Sequence, residues 1–589
     1  MQTIVLALIL SHAAARPHPY STLKLPARAP LPPLARALPP PRASTWCTPA
    51  QPCWPTPAQW AAFNASLGGA LIAVAPPLAP CFGFPGVPRD AARCAAARLN
   101  FTNSYWRAAQ PGASQDVAWE QDQATGESCL DPAQPCALGN IPPLAVAAAG
   151  SAHVALALAF AAQHTLQVVV KSTGHEYQGR SAGAHALLVW THALRGLDLD
   201  PAFSACAGAP PAPAITVSPG TSWGEAYAAA DAARVNVVGG SEISVSACGG
   251  YTLGGGHSWM GPALGMAVDN ALRFTAVLAN GTEVSASACE NADLFWALRG
   301  GGGSALGVLT SCTYATHPFP PAGATGAFIT IELLQGSASF AVLLEGWLAG
   351  VGALGSGPTV AGGYFIPTFD APEGTHEHVS FLLGINGTVA QASALLAPLK
   401  AFVEAQPTHL SIIGADLEPY PSLMQFHEAY DASSEPMGYA GTLGSRVLPL
   451  ALLNNATSRA ALVRSLTTIA YTVGMTGQLV AGGAVAAADP RLTSLNPAWR
   501  SAGVHVSFGA AWPLNATQAE REAVFGGVSA LTELLRGDAP GSAAYFSESD
   551  FLEPSWEEAF WGPNYQRLQQ VKRAVDPAGL LSCHHCVEL

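Results

Sequence analysis

The stretch VVVKSTGHEYQGRS, residues 168–181, decides how this chain is read. Val168 to Val170 form a β-branched run that reads as a buried strand, and the run breaks into a turn of small residues, Ser172 to Gly174. A strand ending in this way leaves backbone N–H groups free. Such a concavity binds a pyrophosphate without needing a helix. A histidine inside the turn, His175, would lie beside whatever the phosphates anchor. Taken alone, the stretch fits a glycine turn with an unrelated histidine equally well.

Two further glycine runs follow, GGYTLGGGHSWMG at 249–261 and LRGGGGSALGVLTS at 298–311. Glycine in a strand-rich block costs chain entropy, so the runs point to close backbone approach to a flat or phosphorylated ligand, with flexible loops as the plain alternative. Gly300-x-Gly302-x-x-Ala305 matches the letters of a dinucleotide fingerprint. It follows a helix and precedes a strand, the reverse of the required order, which argues against a nicotinamide-dinucleotide site. The surrounding elements read as a helix over Ser151–Gln163 running into the strand Leu166–Val170, strands at Leu187–Thr191 and Ile215–Val217, and a helix at Trp223–Ala233. A hairpin turns at Asn280-Gly281. From about 321 to 535, strand-like runs such as Ala327–Leu333, His378–Leu383 and His505–Phe508 alternate with Ala/Leu-rich helices, which reads as a separate α+β unit.

With 589 residues and 49% hydrophobic content the chain can bury a large core, while charged residues are only 11% and the net charge is -13. No basic surface is evident to neutralise phosphates, which argues against a nucleic-acid binder. Residues 1–15 read as a signal peptide, too short to span a membrane, and 16–60 as a Pro-rich linker. The twelve cysteines are an even number. With sequons at Asn64, Asn100, Asn280, Asn386, Asn455 and Asn515 they favour a secreted protein over an organelle protein carrying a transit peptide. Cys47/Cys53 and Cys129/Cys136 could close small loops, Cys583 and Cys586 could pair, and a bridge between Cys289 and Cys312 is plausible. The remaining boundaries are a cysteine-containing region at 61–136, a glycine-rich block at 137–320, the α+β unit at 321–535 and an aromatic-rich end at 536–589.

CALGNIPPLAV (136–146), VVVKSTGHEYQGRS (168–181), SPGTSWGEAY (218–227), the segment from Ser246 to Gly281, DLFWALRGGGGSALGVLTS (293–311) and FWGPNYQRLQQVKRAVDPAGLL (560–581) occur in this order. Together they resemble the berberine-bridge-enzyme-like FAD-linked oxidases, of the vanillyl-alcohol-oxidase or PCMH type, with fungal-type members nearest. The resemblance implies an α+β fold: a PCMH-type FAD-binding domain of two α/β subdomains over 137–320, rejoined by 536–589, and an α+β substrate domain whose antiparallel sheet lies over the flavin. It implies FAD bound covalently through His175. The implied binding set is Lys171, Ser172, Thr173, Gly174, Gly179, Arg180, Ser181, Gly249, Gly250, Gly254, Gly255, Gly256, Ser258, Val308, Asn564 and Tyr565. Some members attach FAD a second time through a cysteine, and that position falls here near Glu242 or Ile243. Cys248 is out of register with it, so a single link through His175 is expected, with none through Cys248.

The chemistry expected is hydride transfer from an alcohol or amine carbon of a small molecule (a sugar, an alkaloid or a phenolic alcohol) to flavin N5. Dioxygen then reoxidises the flavin and gives hydrogen peroxide; a dehydrogenase using another acceptor is the alternative. A hydroxyl substrate needs a base, and Tyr565 is the first candidate, with Glu548, Asp550 and Tyr439 behind it. No metal and no membrane partner is expected. Gly220-Thr221-Ser222-Trp223-Gly224 fits a nucleophile elbow, so a secreted serine hydrolase acting through Ser222 is the rival from another class.

Overall fold

The computed structural model describes residues 46–321, 323–357, 359–369, 377–431 and 437–589. The expected signal peptide and most of the Pro-rich linker lie outside these residues.

The first sheet contains β1 (Leu71–Ala73), β2 (Leu144–Ala147), β3 (Val168–Lys171) and β4 (Leu187–Trp190), in the order β1-β2-β4-β3. β2, β4 and β3 are parallel. Their unbroken apolar runs suit a sheet covered on both faces. On one face the helix Ser151–His164 buries Val154, Ala157, Leu158 and Ala161, a helical i, i+3, i+4, i+7 stripe. The expected helix and the strand after it both form, while β2 before them is unexpected, because its four residues LAVA carry no period of their own.

The second sheet is antiparallel. It comprises β5 (Leu197–Phe203), β6 (Ala212–Val217), β7 (Val235–Val237), β8 (Ala271–Val277), β9 (Glu283–Ser287) and β10 (Val308–Pro318), in the order β5-β6-β10-β8-β9, with β7 also on β10. The Asn280-Gly281 turn joins β8 to β9 with Gly281 at φ +82°, a backbone that glycine adopts without strain.

The third sheet has seven antiparallel strands: β11 (Ala324–Leu333), β12 (Ala361–Thr368), β13 (His378–Ile385), β14 (Leu410–Tyr420), β15 (Ala440–Pro449), β16 (Thr476–Leu479) and β17 (Ala502–Trp512). Their order is β14-β11-β13-β12-β16-β17-β15. The helices Ser337–Leu354, Val389–Glu404, Ala456–Val473 and Gln518–Asp538 pack on one face, and Val504, Val506, Phe508 and Ala510 of β17 belong to that core. Side chains alternate along a strand, so His505 and Ser507 point to the opposite face, toward the glycine-rich block. Ser337–Leu354 is long and apolar enough to cross a bilayer. Its Phe340, Leu343, Leu344 and Trp347 are buried in this same core.

All twelve cysteines are paired. Cys47–Cys53, Cys129–Cys136 and Cys583–Cys586 pair as their spacing suggested. Cys289 and Cys312 do not pair with one another: Cys289 joins Cys206, and Cys312 on β10 joins Cys248. The remaining bridge is Cys81–Cys94. The C-terminal segment folds back on the third glycine run, where Lys572 Nζ donates to Ala305 O at 2.7 Å and Trp561 Nε1 to Gly300 O at 2.9 Å.

Candidate active site

Between the first two sheets and the returning C-terminal segment lies a cleft of about 1340 Å³, its open mouth included. The end of β3 supplies Ser172, Thr173, Gly174 and His175 to its wall. Gly249 and Gly250 come from the second glycine run, and Gly303, Gly307 and Val308 from the third. A Cβ placed on Gly250 would meet nothing within 4 Å, and one on Gly303 only Gly250 Cα at 3.6 Å, so both glycines keep cleft volume open. Arg180 also lines the cleft, and its buried Nη2 has no hydrogen-bond partner. Free volume between glycine backbones, flanked by an unspent guanidinium N–H, fits an elongated anionic ligand such as FAD.

His175 is held by a side-chain chain. Its Nε2 lies 2.7 Å from Ser244 Oγ, and Ser244 donates from Oγ to Glu242 Oε1 at 2.5 Å. Burial pulls His175 down to about 3, so the imidazole is neutral across the working pH range.

A second cluster closes one end of the cleft. Glu548, His257 and Tyr545 line it, and His257 Nε2 is 3.2 Å from Glu548 Oε1. His505 stands behind them, 5.2 Å from the His257 ring and 5.8 Å from that of Tyr545. Neither ring nitrogen of His505, nor His257 Nδ1, has a hydrogen-bond partner. One ligand-type atom from each of His257, His505 and Glu548 falls within 4.8 Å of the others. Burial pulls His505 down to about 3. A histidine held neutral in the fold takes a proton only on unfolding, so its contribution to stability declines as pH falls below the ordinary 6.5 and levels off near 3. Between pH 6.5 and 5 this removes about 2 kcal/mol, and His505→Gln should lose that part of the acid sensitivity. Urea unfolding at the two pH values measures it; an equal acid loss in both proteins would contradict the assignment.

Of the residues expected from sequence, Ser172, Thr173, Gly174, His175, Arg180, Ser181, Gly249, Gly250, Val308 and Glu548 line the cleft. The others lie elsewhere, each for a local reason. Lys171 spends its ammonium on the carbonyls of Gln110, Pro111 and Ala113, at 2.6–2.9 Å. Gly179 faces protein instead of ligand, since a Cβ there would come within 2.6 Å of the Trp119 ring. Gly254, Gly255 and Gly256 likewise make room for Ser547, Leu495 and Ala267. Ser258 accepts from Met260 N, and Asn564 donates to Leu495 O. Tyr565 packs between the rings of Trp556 and Trp561, each 5.5 Å away, and Tyr439 offers its carbonyl to Val117 N beside the N-terminal region. Asp550 pairs with Ser529 and Arg536. Glu242 and Ser244, His257 and His505 were missed. Of these only His257 carried a local signal, its place in the second glycine run.

The hydrolase reading through Ser222 is not favoured. Ser222 caps the helix Trp223–Ala232 in a capping box with Glu225 and donates from Oγ to Glu225 Oε2 at 3.0 Å.

The family models for an FAD binding domain and for the berberine and berberine-like segment match residues 142–287 and 544–588. A protein of Arthroderma benhamiae named as an FAD-linked oxidoreductase is 33% identical over 534 residues, covering 88% of this chain and 90% of its own. The chain belongs to the berberine-bridge-like FAD-linked oxidoreductases. This oxidoreductase also superposes on the crystal structure of the VAO-type flavoprotein MtVAO615 from Myceliophthora thermophila C1, with a TM-score of 0.83, 26% identity and coverage of 92% of this chain and 97% of that one. The fold extends to the glucooligosaccharide oxidase of Acremonium strictum, whose FAD is described as 6-S-cysteinyl and 8α-N1-histidyl. There the TM-score is 0.65 at 17% identity, over 84% of this chain and 98% of that one. This oxidoreductase thus has the PCMH-type α+β fold and is an FAD-linked enzyme.

Proposed function

We propose that FAD fills the cleft, is joined covalently to His175 alone, and accepts hydride from an alcohol or amine carbon of a small organic substrate. When bound, FAD supplies the hydride acceptor at N5 and a ring whose reoxidation by dioxygen yields hydrogen peroxide. The observation that carries the reading is the neutral His175 ring in the wall of a cleft made from glycine backbone. A single attachment is supported by two further facts. The expected position of a second link falls near Glu242 or Ile243, neither of them a cysteine, and Cys248 is held in its bridge to Cys312. Glu548, with His257 behind it, is the proton acceptor this reading assigns for a hydroxyl substrate, ahead of Tyr565 and Tyr439, which lie outside the cleft. Six disulfides support export to an oxidising compartment.

Acid precipitation tests the attachment. The pellet should stay yellow and a tryptic peptide containing His175 should carry the FAD mass, whereas His175→Ala should release its colour to the supernatant. Anaerobic mixing with sugars, phenolic alcohols and amines should bleach the flavin with its true substrate class, and readmitted air should give peroxide. A colourless wild-type pellet would overturn the covalent reading.

A further inference from the structure

We infer that Ser244 and Glu242 form a relay that holds His175 with Nδ1 free toward the cleft and carries away the proton from Nε2 as the flavin bond forms. The inference rests on the His175 attachment proposed above. Glu242 Oε1 receives both the Ser244 hydroxyl at 2.5 Å and the Ser244 backbone N–H at 2.8 Å. With its proton turned to the carboxylate, Ser244 Oγ presents a lone pair to His175 Nε2 at 2.7 Å, and Nε2 is then the protonated ring nitrogen. Nδ1 consequently carries the lone pair, on a ring that lines the cleft. Ser244 is 1% and Glu242 7% exposed, so bulk water does not substitute for either.

The proton inventory explains why a relay is needed. As Nδ1 bonds to the 8α carbon, one C–H bond of that methyl group breaks, its proton leaves, and the electron pair passes through the ring to dioxygen, giving hydrogen peroxide. His175, now alkylated on one nitrogen and protonated on the other, would be an imidazolium buried in the cleft wall. Burial strongly disfavours that charge at this site, as it does in the free ring. Ser244 passes the Nε2 proton to Glu242, and the ring stays neutral. The Arg180 guanidinium and two backbone N–H groups, of Gln178 and Arg180, occupy Glu176, the other nearby carboxylate. Tyr105 faces Glu242 but is pushed above its ordinary value, chiefly by burial, and so keeps its proton.

The test is the rate at which full-length protein, produced under riboflavin starvation and then given FAD, gains fluorescence that survives denaturing electrophoresis. Ser244→Ala and Glu242→Gln should each slow covalent incorporation by roughly 100-fold, the scale of a lost proton-transfer partner, while binding FAD before denaturation. Ser244→Thr, which keeps the hydroxyl, should restore the rate. Glu242→Gln preserves shape and can still accept from Ser244, so it carries the test if Ser244→Ala fails to fold. Wild-type rates in both slow-predicted variants, with the label on His175, would overturn the relay and leave the attachment standing. Wild-type protein that never becomes labelled would overturn both.

Discussion

Glu548→Gln is expected to slow anaerobic flavin bleaching by roughly 100- to 10,000-fold, the range for loss of a positioned general base, with FAD content unchanged. Glu548 faces the cleft and meets His257 at 3.2 Å, and His505 completes the cluster. Burial keeps His505 neutral, so His505 brings no positive charge to the cluster. Under the proposed function, a hydroxyl proton would pass to Glu548 as hydride leaves the carbinol carbon. Glutamine has the same shape and keeps an acceptor for His257, so a loss of rate at constant FAD content isolates the missing base. The buried ring nitrogens of His257 and His505 that lack partners argue in the same direction. Each such atom costs about 1–3 kcal/mol of stability when left unpaired, and a catalytic role is one reason to keep it. An unchanged bleaching rate for Glu548→Gln would remove Glu548 from the reaction.

Local signals carried the elements that frame the cleft. The β-branched run before Lys171 is β3, the Asn280-Gly281 turn joins β8 to β9, and the turn after β3 reaches the cleft wall. What stayed hidden depends on contacts between distant parts of the chain. The glycine runs read as surfaces for a flat ligand, and several are surfaces for flat protein rings: Gly302 would meet Phe546, as Gly179 meets Trp119. Lys171 reads as a phosphate ligand until its carbonyl partners, 58 to 61 residues earlier, are seen. His505 lies in β17, all eleven of whose residues are buried. Both faces of that strand are covered, so its sequence does not announce which side chains face the cleft. Ser244 and Glu242 lie in an irregular segment with no motif, and only the fold brings them to His175, 69 residues from Ser244.

The largest stability loss is expected at Glu553. Arg446 on β15 donates from Nη2 to both Glu553 oxygens at 2.8 Å, and Arg536 on the helix Gln518–Asp538 reaches Oε2 at 2.9 Å. The Arg446 and Glu553 side chains are each 2% exposed. The carboxylate therefore ties the sheet, its covering helix and the C-terminal segment that carries Tyr545 and Glu548. Buried ion pairs gain little over apolar packing when whole, but removing one partner strands the other charge without water. Arg446 is especially vulnerable, because its Nε and Nη1 already lack partners. Glu553→Ala should therefore cost about 3–5 kcal/mol in urea unfolding. Glu553→Gln should cost less, since the amide oxygen still accepts a bond. The exposed pair Arg567–Asp293 provides the contrast: Asp293→Ala should change stability by about 0–1 kcal/mol. Equal losses at the two sites would show that burial does not set the scale here. A large loss at Glu553 should also slow bleaching by loosening the strap that holds Glu548, and that effect should fade when the protein is assayed well below its unfolding transition in Glu553→Gln.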